Sequence, residues 1–276
     1  MITKQISFDE HKKLYLVATP IGNLEDISLR ALNILKSCDL ILCEDTRVSA
    51  KLLSYYQIQK PLLSFYDFNS ELRLKQMDDL FHVHNHIVLI SDAGTPLIND
   101  PGYDLVNYCL LKDINVIAIP GATSLISALC CSGLTTNSFI FGGFFPREKS
   151  KALSFFNSIK KFAGTIIFFD SPHRLKNSLE IIYQILGDVR IVLARELTKL
   201  YETIYRGDLL SALNFDFSEK GEYVMLLSHP VVASTQDPKT FYLELIKSGV
   251  TSKEALQIVA KELSISKNEL YKLIKC

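Results

Sequence analysis

The sequence predicts an α/β protein made of two α/β domains followed by a small helical module. Three observations carry this. Short, nearly continuous apolar runs alternate with helical patterns, as expected for parallel strands buried on both faces. Pro120-Gly121 breaks that series, and a second one follows. The segment SHPVVASTQDP, rich in Ser and Pro, then precedes three helical stretches. The expected limits are a tail over 1–13, domains over 14–120 and 121–229, and a helical module over 238–276.

In the first series, Leu14–Ala18, Asp39–Cys43, Pro61–Phe65, Ile87–Ser91 and Asn115–Ile119 read as strands. Ser28–Lys36, Val48–Tyr56, Glu71–His82 and Gly102–Leu111 read as the helices between them. In the second series the strands are Ser138–Gly142, Thr165–Phe169, Val189–Leu193, Glu202–Tyr205 and Glu222–Leu227, with a helix over Leu175–Leu186. No helix separates the strands around residues 189–206, which predicts antiparallel pairing there. In the last module, Thr251-Ser-Lys-Glu254 and Ser266-Lys-Asn-Glu269 fit the capping box that opens a helix.

Composition narrows the classes. Hydrophobic residues are 48% and charged residues 22% of 276, which suits a globular chain and not a disordered one. Lys+Arg and Asp+Glu number 30 each, so any nucleic-acid surface must be local. No apolar run reaches the roughly 18 residues of a membrane span. The polar start MITKQISFDEHKK does not read as a secretion signal, and a cytoplasmic location is expected. The six cysteines form no CxxC pair and mostly sit in apolar runs, as buried reduced thiols would.

The polar motifs gather at strand ends, where α/β proteins place ligands. Ala18-Thr-Pro-Ile-Gly-Asn-Leu24 follows the first strand; it is either a ligand loop or a plain turn. Cys43-Glu-Asp-Thr-Arg47 offers two carboxylates, a hydroxyl and an arginine. It can act on a polar substrate, or cap a helix through Asp45 or Thr46. Ser91-Asp-Ala-Gly-Thr-Pro-Leu-Ile-Asn-Asp-Pro-Gly102 is longer than a connection needs, and its small residues admit a ligand close to the backbone. Pro120-Gly-Ala-Thr-Ser124 places amides and hydroxyls at a helix start, for a ligand or for capping. Phe169-Asp-Ser-Pro-His-Arg174 and Ala194-Arg-Glu-Leu-Thr-Lys199 are two further strand ends. Arg147, Lys149, Lys151, Lys160 and Lys161 face only Glu148 in their stretch and follow the aromatic-rich Phe139–Pro146. They form an RNA surface or a solvated helix face. His84 and His86 lack a nearby Cys or acidic ligand, so no metal site is expected.

Taken in order, LYLVATPIGNLEDISLRALNIL, CEDTR, SDAGTPLINDPGYDLV, FFDSPHR, ARELTK and KGEYV resemble the family of small-subunit ribosomal RNA cytidine 2′-O-methyltransferases, within the tetrapyrrole methylase superfamily. The resemblance spans about residues 14–227. It implies two α/β domains with S-adenosylmethionine in the cleft between them, a homodimer, and 16S ribosomal RNA or the 30S subunit as partner. The donor loops would fall on Pro20, on Asp92, Ala93, Gly94, Thr95 and Pro96, on Thr123 and Ser124, on the Phe169–Asp170 strand end, and near Ala194 and Gly221-Glu222. Glu44 or Asp45 would handle the hydroxyl proton, with Arg47 and Arg195 orienting phosphate or ribose. Arg147, Lys149, Lys151, His173 and Arg174 would meet RNA. The chain departs from the pattern at Ala122, where proline is usual, at Asp170, where Glu is commoner, at Phe65–Asn69, where histidines are usual, and at SHP, where a glycine-rich close is usual.

Three rival readings are a small-molecule tetrapyrrole methylase, a non-catalytic nucleic-acid-binding protein and a nicotinamide oxidoreductase. CEDTR, SPHR and the basic stretch argue against the first. The charge over Lys239–Cys276, seven Lys against four Glu, is low for the second. The third lacks its glycine fingerprint.

Overall fold

A computed structural model describes residues 5, 12–65, 70–229, 238–247, 249–262 and 266–275. The rest of the expected N-terminal tail, four of the five residues Phe65–Asn69, most of SHPVVASTQDP and Cys276 lie outside the described residues. Two five-stranded sheets follow one another along the chain.

The first sheet holds β1 (Lys13–Val17), β2 (Leu40–Cys43), β3 (Leu62–Ser64), β4 (His86–Ile90) and β5 (Asn115–Ile119), in the order β3-β2-β4-β1-β5. Every pairing is parallel. The crossovers are α1 (Leu29–Ser37), α2 (Thr46–Tyr55), α3 (Ser70–Val83) and α4 (Tyr103–Leu111). Leu42, Ile87 and Val88 are completely buried, because helices cover both faces of the sheet.

The second sheet holds β6 (Phe139–Phe144), β7 (Gly164–Asp170), β8 (Arg190–Arg195), β9 (Thr203–Asp208) and β10 (Tyr223–His229), in the order β6-β7-β10-β8-β9. β6 and β7 are parallel; β10 runs antiparallel to β7 and β8, and β8 antiparallel to β9. The antiparallel pairing expected near residues 189–206 is therefore present. It brings the start of β10 to the same edge as the ends of β7 and β8. α5 (Ser124–Ser132) covers one face. α6 (Lys149–Ser158), α7 (Pro172–Leu186) and α8 (Leu209–Leu213) cover the other.

A small cluster around Val259 and Leu270 holds α9 (Pro238–Lys247), α10 (Ser252–Glu262) and α11 (Lys267–Lys275) together. The expected capping box at Ser266 forms in full, while at Thr251 the hydroxyl bonds both the Glu254 amide and its carboxylate. The Glu254 amide donates to the Thr251 hydroxyl, and the Ser266 amide donates to the Glu269 carboxylate at 3.0 Å. Cys38, Cys43 and Cys109 are buried as expected, but Cys130 and Cys131 are exposed at the end of α5. No helix among the described residues is long and apolar enough to cross a membrane.

Candidate active site

The strand-end loops of the first sheet are tied into one surface. Thr19 and Gly94 exchange backbone hydrogen bonds of 2.9 and 3.0 Å, joining the loops after β1 and β4. The Thr95 hydroxyl donates to the Ala122 carbonyl at 3.1 Å, adding the loop after β5. The Asp45 amide donates to an Asp92 carboxylate oxygen at 3.2 Å, adding the loop after β2. Gly121 is required here, because a Cβ would lie 2.9 Å from that of Ala18.

The second sheet supplies the facing wall. Its loop after β8 carries left-handed backbone at Glu196 (φ 51°) and Thr198 (φ 67°). The Asn23 amide donates to the Thr198 hydroxyl at 3.0 Å, so the two walls touch. Lys199 bridges Glu196 at 2.9 Å and Glu222 at 3.0 Å. The lysine hydrogen bond holds the Glu196 carboxyl below its ordinary range.

Between the walls lies a cavity of about 440 Å³. Of the expected donor residues, Asp92, Ala93, Gly94, Thr95, Thr123, Ser124, Phe169, Ala194 and Gly221 line it. Pro20 and Pro96 do not; both are buried in their loops, and Ile21 reaches the cavity instead. Thr123 stands at the N-cap of α5, but its hydroxyl makes no capping bond. The plain capping reading of that motif thus fails for Thr123.

The four expected catalytic residues separate. Glu44 lines the cavity. Asp45 is the N-cap of α2, accepting the Arg47 amide at 2.8 Å and the Arg47 guanidinium at 2.6 Å. The arginine holds the Asp45 carboxyl down at about 2. Arg195 is not brought to the cavity. Side chains alternate along a strand, so with Ala194 turned to the cavity Arg195 turns to the opposite face. There its Nε donates to the Lys220 carbonyl at 2.8 Å.

Arg147, Lys149 and Lys151 are exposed, and Lys149 and Lys151 bond to Gln184 and Glu148. His173 is exposed in the first turn of α7. Arg174 is half-buried; it donates to the Phe145 carbonyl and lies 3.7 Å from Asp170. Among the described residues no group of three or more His, Cys, Asp or Glu could hold a metal ion.

Two further acids line the cavity: Asp170, at the strand end where the resemblance puts a donor loop, and Asp100, which sequence reasoning missed. Asp170 is buried, and its Oδ2 has no hydrogen-bond partner; burial raises its pKa. Asp100 is pushed up to about 6 by burial and by the Glu44 and Asp92 carboxylates, against a lowering hydrogen bond from Ser91. The only sequence signal for Asp100 was the unusual length of its loop. Phe144 was also unassigned. A bulge between Phe141 and Phe144, with Gly143 at φ 70°, aims this half-exposed ring at the cavity mouth.

The sequence model of the tetrapyrrole (corrin/porphyrin) methylases matches residues 13–213. The ribosomal RNA small subunit methyltransferase I of Halalkalibacterium halodurans is 40% identical over 275 residues, covering 96% of this chain and 95% of the relative. The protein of the same name from Thermotoga maritima is 45% identical over 218 residues, covering 78% of this chain and 98% of its own. The chain belongs to the ribosomal RNA small subunit methyltransferase I family of tetrapyrrole methylases. Its fold is shared by the uroporphyrin-III C-methyl transferase of Thermus thermophilus complexed with S-adenosylhomocysteine. That structure aligns with a TM-score of 0.54 at 18% identity, over 78% of this chain and 97% of the other.

Membership makes the chain an S-adenosylmethionine-dependent methyltransferase. The cavity of this methylase fits such a donor. Its volume lies in the usual range for small-molecule sites, about 300–1,000 Å³. Ile21, Phe169 and Ala194 offer apolar contact, and the Thr123 hydroxyl offers a polar one. Gly94 and Gly221, at φ 82° and 94°, leave the backbone bare on opposite walls.

Proposed function

We propose that this methylase transfers a methyl group to the ribose 2′-hydroxyl of a cytidine in 16S ribosomal RNA, with the donor in the cavity between the two sheets. The observation that carries the placement is the convergence of strand-end loops from both sheets on one cavity. The RNA assignment is supported by relatives that carry a ribosomal RNA name over almost their whole length. The protein works in the cytoplasm, as a homodimer, on naked RNA or the 30S subunit. Its units are the domains 14–120 and 121–229 and the helical module 238–276.

Bound S-adenosylmethionine supplies a methyl group on a positively charged sulfur, already a good leaving group. The protein's task is to align the hydroxyl with that methyl and exclude water. Glu44, on the cavity wall, accepts a hydrogen bond from the ribose and orients it. Arg47, exposed beyond its Asp45 partner, meets phosphate. Arg195 acts at one remove, by holding the loop that leads into β10. Phe144 gives an unstacked base an aromatic face, and Arg147, Lys149, Lys151 and His173 are exposed in the loop after β6 and in the first turns of α6 and α7. Arg174 contributes by fixing the end of β6.

The test is Glu44→Gln in single-turnover methyl transfer to unmodified ribosomal RNA. The rate should fall by about two to four orders of magnitude, with donor affinity retained. Full activity would remove Glu44 from the site.

A further inference from the structure

We propose that Asp100 is a catalytic residue of this methylase and receives the proton of the ribose hydroxyl. This rests on the 2′-O-methyltransferase reading. Asp100 comes from the loop between β4 and α4 and lines the cavity with Glu44 and Asp92. All three carboxylates stand beyond the carboxyl ends of parallel strands, where this architecture places ligands.

The backbone around Asp100 is held in an uncommon shape. Leu97 and Asn99 have φ values of 70° and 69°, left-handed for non-glycine residues. Gly102, at φ 131°, closes the loop against Leu89, where a Cβ would come within 2.7 Å of Cδ2. The other strained loop on the cavity carries Glu196 and Thr198 on the opposite wall. Four of the six non-glycine residues with positive φ among the described residues thus lie in these two loops. Strain of this kind persists where surrounding contacts impose it, and it gathers at functional sites.

The surroundings suit proton acceptance. The charged groups facing Asp100 are Glu44, after β2, and Asp92, after β4; Ser91 faces it with a hydroxyl. The remaining charged groups of the cavity are Asp170, at the end of β7, Glu196 and Lys199, after β8, and Glu222, before β10. Lys199 is engaged by Glu196 and Glu222. Asp170 has Arg174 beside it and accepts the Ser171 amide. No ion pair of Asp100 is formed among the described residues. Burial and its two acidic neighbours push its carboxyl up to about 6, so at pH 7–8 it is mostly ionised and yet more basic than an ordinary aspartate.

The step balances with one acceptor. The hydroxyl oxygen bonds to the methyl carbon as the carbon–sulfur bond breaks. The bonding pair stays on sulfur and leaves a neutral thioether, and the proton passes to an Asp100 carboxylate oxygen. Glu44, on the same wall, orients the ribose.

The test uses the full chain with Asp100→Asn and Asp100→Glu. The readouts are single-turnover methyl transfer from pH 5 to 9, S-adenosylhomocysteine affinity by calorimetry, and a carbon NMR titration of the ligand-free aspartates. The wild-type rate should fall as pH drops through about 6. Asp100→Asn should lose about 10²–10⁴-fold and the acid limb, and should keep its affinity for S-adenosylhomocysteine. Asp100→Glu should regain part of the rate together with the limb. An aspartate resonance titrating near 6 should vanish in Asp100→Asn. An undiminished rate in Asp100→Asn, or Asp100 titrating near 4, overturns the proposal alone. If the wild-type protein methylates no ribose, the 2′-O reading falls and the proposal with it.

Discussion

Replacing Gly94 separates the donor cavity from the stability of the fold. Gly94 sits at φ 82° and is paired on both sides with Thr19. A Cβ would stand 3.3 Å from Ile21 Cγ2 and 3.9 Å from the Ala122 carbonyl oxygen, both ordinary or slightly tight contacts. Gly94→Ala therefore costs mainly its left-handed backbone, about 1–2 kcal/mol. A melting-point loss of about 2–8 °C follows for a chain of this size. Gly94→Leu carries the same backbone cost and adds three carbons. The tied loops leave them no room except the cavity of about 440 Å³. The affinity for S-adenosylhomocysteine should fall at least about 100-fold, or ~2.7 kcal/mol, and in Gly94→Ala much less. Differential scanning calorimetry gives the first quantity and titration calorimetry the second. A folded Gly94→Leu protein that binds like wild type would refute the placement of the donor.

Gly142→Ala would put a Cβ 2.3 Å from Phe168, a ring packed against Phe145, Phe155 and Phe156, and should cost about 1–3 kcal/mol in denaturant unfolding. The Asp45 carboxyl is held at about 2 by Arg47, below its ordinary 3.8, so the stability it lends is complete above about pH 4 and lost as pH falls towards 2. Asp45→Asn should flatten acid unfolding in that window alone. Changing Lys149 and Lys151 together to Glu should weaken RNA binding and reduce the slope of log K against log salt by about 1.4–1.8 if each meets one phosphate, with donor affinity unchanged.

The first sheet was readable because parallel strands buried on both faces appear as unbroken apolar runs; LILC and HIVLI are examples. Asn115–Ile119 was read with the bounds it has. α5 had no bounds assigned, since SLISALCCS packs on a sheet and shows little polar face. α8 is only five residues long and escapes any test of periodicity. The motifs marked the cavity loops, but not which side chains enter it. ARELTK places alanine and arginine in adjacent positions, and no local pattern tells that Ala194 faces the cavity and Arg195 does not. Asp100 was hidden for a different reason. Its raised pKa comes from burial against Glu44 and Asp92, residues 8 to 56 positions away in sequence, and no local pattern records that.

The central claim is methyl transfer to a ribose of small-subunit ribosomal RNA. The most direct measurement supplies S-adenosylmethionine with a labelled methyl group, and both 30S subunits and naked 16S RNA from cells lacking this enzyme. The RNA is then digested to nucleosides and the label located by mass spectrometry. The account predicts label on 2′-O-methylcytidine at one position, and none when Asp92–Pro96 is replaced by a bulky loop. Label on a base, on ribosomal protein or on a small-molecule macrocycle, with none on ribose, would contradict it.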